Sequence, residues 1–108
     1  GLLETASEAI VTMDRTQTVV AANSAAAALL EVPVEELIGS PAARWVPERY
    51  REGNGLRLAE FMASDAATRR LGGRRDVLVR RADGTEVPVR AAISRARANG
   101  AQLFTVVL

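Results

Sequence analysis

The segment Arg80-Arg81-Ala82-Asp83-Gly84-Thr85-Glu86-Val87-Pro88-Val89 constrains the fold more than any other, because a polar turn joins two runs that alternate between an apolar and a wet face. After the turn, Val87, Val89, Ala91 and Ile93 share one face and Glu86, Arg90 and Ser94 the other, with Pro88 and Ala92 between them. This reads as a β-hairpin with one wall committed to core or pocket. Loop length decides what opposes that wall. A two-residue Asp83-Gly84 loop pairs Arg81 with Glu86 and turns Asp76 and Leu78 inward. A three-residue loop, with Gly84 left-handed in a bulge, pairs Arg80 with Glu86 and Asp76 with Arg90. The second register is favoured: it sets two opposite-charge pairs on the wet face and aligns Val77 and Val79 with Val87 and Val89. It also turns Arg75 inward.

Upstream, Leu2 to Ser7 reads as the end of a helix, Ala9 to Met13 as a strand, Asp14 to Gln17 as a turn and Thr18 to Ala22 as a second strand. Asn23 is placed to cap a short Ala-rich helix, Ser24 to Leu30. Pro33 opens another helical turn that Gly39 ends, and Pro41 to Trp45 reads as one more. Pro47 starts the longest helix, Glu48 to Ala63, weakened at Gly53-Asn54-Gly55. From Arg74 the chain reads as β: a strand to Arg81, the hairpin strand to Arg97, a tight turn at Asn99-Gly100, and Gln102 to Leu108. Pairing across that turn sets Ile93 opposite Val106, Ala91 opposite Leu108 and Arg95 opposite Phe104. Phe104, Val106 and Leu108 then join the inner wall. Ala92, Leu103 and Val107 form an outer apolar strip that calls for cover by a second copy or a flanking helix.

A chain of 108 residues is one domain, able to bury roughly 65% of the surface its unfolded form exposes. It contains neither Cys nor His, which removes disulfides, thiol nucleophiles, imidazole bases and the usual zinc and heme ligands. No membrane span is expected, since the apolar stretch from Ala21 to Leu30 is interrupted by Asn23 and Ser24. The first residue, Gly rather than Met, and the lack of a signal peptide suggest a piece of a larger cytoplasmic protein. All 14 basic residues are Arg, and the charge is −4 over residues 1–64 and +5 over 65–108. Complementary parts of one fold, or a basic rim for an anionic ligand, explain this better than nucleic-acid binding, which four aromatics and no base-reading basic helix support poorly. Asp14, Asp76, Asp83 and Glu86 have structural explanations as turn or cross-strand partners, so the chain is not expected to be an enzyme.

The order of elements resembles a PAS domain over the whole chain. The resemblance rests on Asn23 at the first cap, Glu35-Glu36-Leu37-Ile38-Gly39 after Pro33, Val46-Pro47-Glu48-Arg49-Tyr50-Arg51 opening the long helix, and the hairpin from Arg81 to Val89. It is similar to the bacterial sensory group that includes oxygen-sensing heme domains. The resemblance implies an α+β fold: a five-stranded antiparallel sheet, order 2-1-5-4-3, with short helices and one longer helix on one face enclosing a small ligand cavity. It also implies an effector in the same chain, such as a histidine kinase, a diguanylate cyclase or a transcriptional regulator. Asn54 stands where heme-binding relatives place an axial His, so heme is not expected, and without Cys neither is covalent flavin chemistry. Noncovalent flavin is disfavoured. Arg75 matches the strand arginine that points into the pocket of the heme relatives.

The candidate ligand-binding residues are Arg75, Trp45, Asn54, Val77, Val79, Val89, Ala91, Ile93, Phe104 and Val106. Two roles fit Arg75: pairing with an anionic ligand, or reaching the rim to pair with Asp or Glu of this chain. Trp45 either stacks on a ligand or belongs to the core, the commoner role. Asn54 with its flanking glycines reads either as a gate or as a poor helical segment that permits close packing. The favoured function is a sensor that binds a small molecule noncovalently and regulates the effector. The alternative is a ligand-free dimerisation and relay module working through Ala92, Leu103 and Val107. A homodimer is expected under either.

Overall fold

The computed structural model describes residues 8–48, 58–72 and 76–108. Leu2 to Ser7, Asn54, Arg75 and most of the expected long helix lie outside the described residues.

Strands β1 (Ile10–Met13) and β2 (Val19–Ala22) form the first antiparallel pair. Asp14 shapes the turn between them: its Oδ1 accepts from the Thr16 hydroxyl at 2.6 Å and from the N–H groups of Thr16 at 2.9 Å and Thr18 at 3.1 Å. The free edge of β2 is partly paired, since Val19 donates to the Ser40 carbonyl and accepts from Gly39, with a further bridge from Thr18 to Pro41.

Helix α1 (Ser24–Leu30) is capped by Asn23, as the sequence indicates, but Asn23 does more. Its Oδ1 accepts from Ala26 N–H at 2.9 Å and Ile10 N–H at 3.0 Å, and its Nδ2 donates to the Glu8 carbonyl at 2.7 Å. One side chain thus ties the helix start to the entry of β1. Asn23→Ala is expected to cost about 2 kcal/mol, the upper end for a cap because strand contacts go with it. Asn23→Asp keeps both acceptor bonds and loses only the donor, so urea denaturation should rank it between Ala and Asn. Equal loss in the two variants would assign the effect to the Glu8 bond alone.

Glu31 ends α1 in the left-handed region (φ 58°), where its N–H reaches Ala28 and the Val32 N–H reaches Ala27, a closing pair that satisfies the last carbonyls. Helix α2 (Val34–Leu37) and a 3₁₀ turn (Ala42–Trp45) follow, then α3 (Leu58–Ala63), which falls within the range expected for the long helix.

The β region begins earlier than Arg74. Strand β3 (Thr68–Leu71) precedes β4 (Val77–Arg80), and the hairpin partner is two strands, β5 (Glu86–Val89) and β6 (Ala91–Ala98), interrupted at Arg90. With β7 (Ala101–Val107), the main sheet is antiparallel in the order β2-β1-β7-β6-β3, and β4-β5 forms a separate two-stranded hairpin. If β3/β4 and β5/β6 are each counted as one broken strand, this is the expected 2-1-5-4-3 arrangement. The break accompanies Gly72, whose φ of 76° turns the chain where an extended L-residue would carry it straight on.

The hairpin has the register derived from charge pairing. Arg80 lies opposite Glu86, Val79 opposite Val87 and Val77 opposite Val89, with Gly84 left-handed at φ 92°. Arg90 and Asp76 meet at 3.8 Å on the exposed side. Across Asn99-Gly100, Ile93 pairs with Val106 and Arg95 with Phe104, again as derived.

Asp14 and Asp83 share one electrostatic feature. Hydrogen bonds from Thr16 and Thr18 hold the Asp14 carboxyl below its ordinary 3.8, and those from the side chain and N–H of Thr85 do the same for Asp83. Because the folded values are depressed, each carboxylate stabilises the fold above 3.8, and its contribution disappears as pH falls through the folded value. The Asp14→Asn/Asp83→Asn variant should therefore show a flatter dependence of its urea midpoint on pH below 3.8 than the parent. Parallel curves would show that these turns are not linked to acid unfolding.

Candidate functional site

The helices pack on the sheet face that carries Met13, Ile93, Phe104 and Val106, and two apolar clusters form there. One joins these residues to Phe61, Leu71, Val77 and Ala91; the other joins Ala26, Leu30, Leu37, Trp45 and Val79. Between helices and sheet lies a cavity of about 70 Å³. Its strand wall comes from Val11 and Met13 on β1, Val19 on β2, Leu71 on β3, Val77 and Val79 on β4, Ala91 on β6 and Val106 on β7, with Leu108 beyond it. Leu30, Ala42, Trp45, Val46 and Leu58 close the helical side.

Trp45 is fixed in this wall by its polar end. Its indole N–H donates to the Ser40 hydroxyl at 2.8 Å, and that hydroxyl donates to the Leu37 carbonyl. Ser40 is buried, so the pair spends its polarity internally and leaves the ring to the cavity. The Arg44 guanidinium lies 4.4 Å from the ring centroid and bridges to Glu36 at 3.1 Å. Trp45 is therefore both core and cavity wall.

Of the candidate residues, the structure brings Trp45, Val77, Val79, Ala91 and Val106 to the cavity. Ile93 and Phe104 are buried in the adjoining core, and Val89 packs against both clusters. The sequence reading missed Met13, Val19, Leu30 and Leu58, which occupy short elements whose facing direction no periodicity fixes. It also missed Leu71, although Thr68-Arg69-Arg70-Leu71 before Gly72-Gly73 carries a strand-and-break signal.

Arg95 was missed as well. It shares the inner face with Ala91 and Ile93, and its guanidinium donates to the carbonyls of Ala66 at 2.8 Å and of Phe61 and Ser64 at 2.7 Å. The signal was present: an inward-facing arginine on an apolar strand needs acceptors, and a helix C-terminus supplies them. Arg81 is similar on the opposite side, donating to the Leu29 carbonyl at 2.9 Å and pairing with Glu31 at 3.1 Å. It thereby ties the hairpin to the end of α1.

The outer sheet face carries Ala92, Leu103 and Val107. Ala92 pairs with Val107 and Val107 with Ile10, an apolar row. Leu103 pairs with Ala96, and the row Thr12, Thr105, Ser94 and Thr68 lies between, with the Thr12 and Thr105 hydroxyls 3.2 Å apart. Hydroxyls thus divide the strip into two parts, because Thr105 falls between Leu103 and Val107 on the same face. Among the described residues no group of His, Cys, Asp and Glu side chains is placed to hold a metal ion, and no helix is long and apolar enough to cross a membrane.

The fold is similar to known PAS domains. The PAS domain of an HTR-like protein from Haloarcula marismortui aligns with a TM-score of 0.76 at 18% identity, over 98% of this chain and 83% of that one. That of nitrogen regulation protein NR(II) from Vibrio parahaemolyticus gives 0.74 at 15% identity, over 93% and 85%. A PAS domain in complex with ethanol, from a LuxR-family transcriptional regulator of Burkholderia thailandensis, gives 0.65 at 17%, over 95% and 90%. A comparison with curated protein sequences finds no match. The family model described as "diguanylate cyclase-like sensor domain" matches residues 2–108. With that match spanning nearly the whole chain, and with the helices laid over one face of a 2-1-7-6-3 sheet, the chain belongs to the diguanylate cyclase-like sensor domain family and has the fold of a PAS domain.

Proposed function

We propose that this domain is the sensory module of a larger cytoplasmic signalling protein, that it binds a small molecule noncovalently in the cavity, and that it regulates an effector in the same chain. A kinase, a diguanylate cyclase and a transcriptional regulator are the effector classes in view. The observation that carries this reading is the apolar cavity between helices and sheet in a chain of a sensor-domain family. The ethanol complex of the Burkholderia thailandensis PAS domain is a precedent for a small neutral guest. A ligand acts on the effector only through its different affinities for two states of the domain. Neither heme nor a covalent flavin is part of the proposal, since the chain has no His and no Cys, and neither catalysis nor nucleic-acid binding is assigned to the domain. Native mass spectrometry of the freshly purified protein, set against its denatured mass, tests the reading. A retained small molecule supports sensing; an apo species that no metabolite extract shifts removes it.

The outer face favours a second reading, a homodimerisation and relay surface. Ile10, Val107 and Ala92 present an apolar row beside a shallow groove flanked by Glu8, Arg70 and Arg90. Val107→Glu is expected to weaken self-association at least tenfold in sedimentation equilibrium, because it sets a charge in the middle of that row. Unchanged association would place the dimer contact elsewhere.

A further inference from the structure

Resting on the sensor reading, the chemistry of the cavity wall narrows its guest. We infer that the cavity is a site for a small, neutral, apolar molecule. Among the described lining residues every side chain is hydrocarbon except the thioether of Met13 and the indole of Trp45. The indole N–H is already engaged by the Ser40 hydroxyl, which is itself committed to Leu37. The described wall therefore offers no uncommitted side-chain hydrogen-bond donor and no charge to a guest. A carboxylate entering it would leave water without replacement partners, a cost that steeply disfavours binding.

Size points the same way. A cavity of about 70 Å³ is large enough to hold more than a water molecule and suits a small guest. Purely apolar cavities hold water poorly, so an apolar guest gains contacts with the wall without displacing strongly bound solvent. Ala42 and Ala91 set the free space: each is the smallest lining residue on its side, Ala42 beside the larger Leu30, Trp45, Val46 and Leu58 of the helical wall and Ala91 among the larger residues of the strand wall.

The test is amide and methyl NMR of the isotope-labelled domain with three probes, xenon, propane and propionate, the last two at matched concentration. Xenon and propane are expected to shift the signals of Val77, Val79, Ala91 and Val106, while propionate leaves them in place. Ala91→Val should weaken the propane response at least tenfold in a domain whose spectrum stays dispersed. Ala42→Val makes the same test from the helical side if the first variant fails to fold. Propionate shifting these signals more strongly than propane would overturn the apolar class but keep the cavity as a ligand site. No response to any of the three would overturn both the class and the sensor reading. An undiminished propane response in both valine variants would place the guest outside this cavity.

Discussion

Replacing Phe61 with alanine is expected to destabilise the domain by about 3–5 kcal/mol, a large share of the roughly 5–15 kcal/mol available to a natural domain. Phe61 is fully buried, and it belongs to α3, whose described part is only six residues. Isolated helices are marginal in water, so α3 depends on what it buries. The ring meets Phe104 of β7 edge-on, with centroids 6.2 Å apart and planes at 78°, a favourable quadrupole arrangement. Arg95 and Arg69 cover it at 4.8 and 5.7 Å. Truncation removes the helix's main attachment and leaves a void between α3 and β7. Urea denaturation of the variant gives the size directly, and a loss below about 1 kcal/mol would show that α3 is held by other contacts.

Arg95→Met is expected to follow closely, at about 2–4 kcal/mol. The substitution keeps an apolar stem and deletes the donors that serve Phe61, Ser64 and Ala66. Those carbonyls lie at and just beyond the end of α3, where that of Phe61 also accepts from the Ser64 N–H at 3.0 Å and the Ser64 hydroxyl at 2.7 Å. The planar guanidinium reaches all three at once while lying near both Phe61 and Phe104. Arg95→Lys should recover less than half of the loss, since an ammonium restores charge but not the fork. A double-mutant cycle with Phe61→Leu isolates the cation–π part, expected at about 0.5–2 kcal/mol. Full rescue by Lys would mean that charge alone matters and that the three-carbonyl clamp does not.

Local chemistry made much of this fold legible. The Asn23 cap, the Asp14 turn and the register of both hairpins follow from side-chain spacing and turn type, interactions that span only a few residues or two adjacent strands. The hairpin register shows this well: Gly84 in a three-residue loop suffices to fix every pair from Arg80–Glu86 to Val77–Val89. The split of the hairpin from the main sheet was less accessible, because Thr68–Leu71 is only four residues with two arginines, and it is a strand by virtue of pairing with β6. Short strands of that kind take their state from a partner.

The sequence by itself thus determined the order and type of most elements, the faces of the long strands, and the absence of thiol and imidazole chemistry. Only the tertiary structure decided that Arg95 joins β6 to the end of α3 and that Arg81 joins the hairpin to α1. It also decided which residues enclose the cavity. The reason is one of range: alternation and turn chemistry act along the chain, whereas a cavity wall is drawn from β1, α1, the 3₁₀ turn, α3 and β7 at once. Its shape depends on how those elements dock, which no single segment encodes.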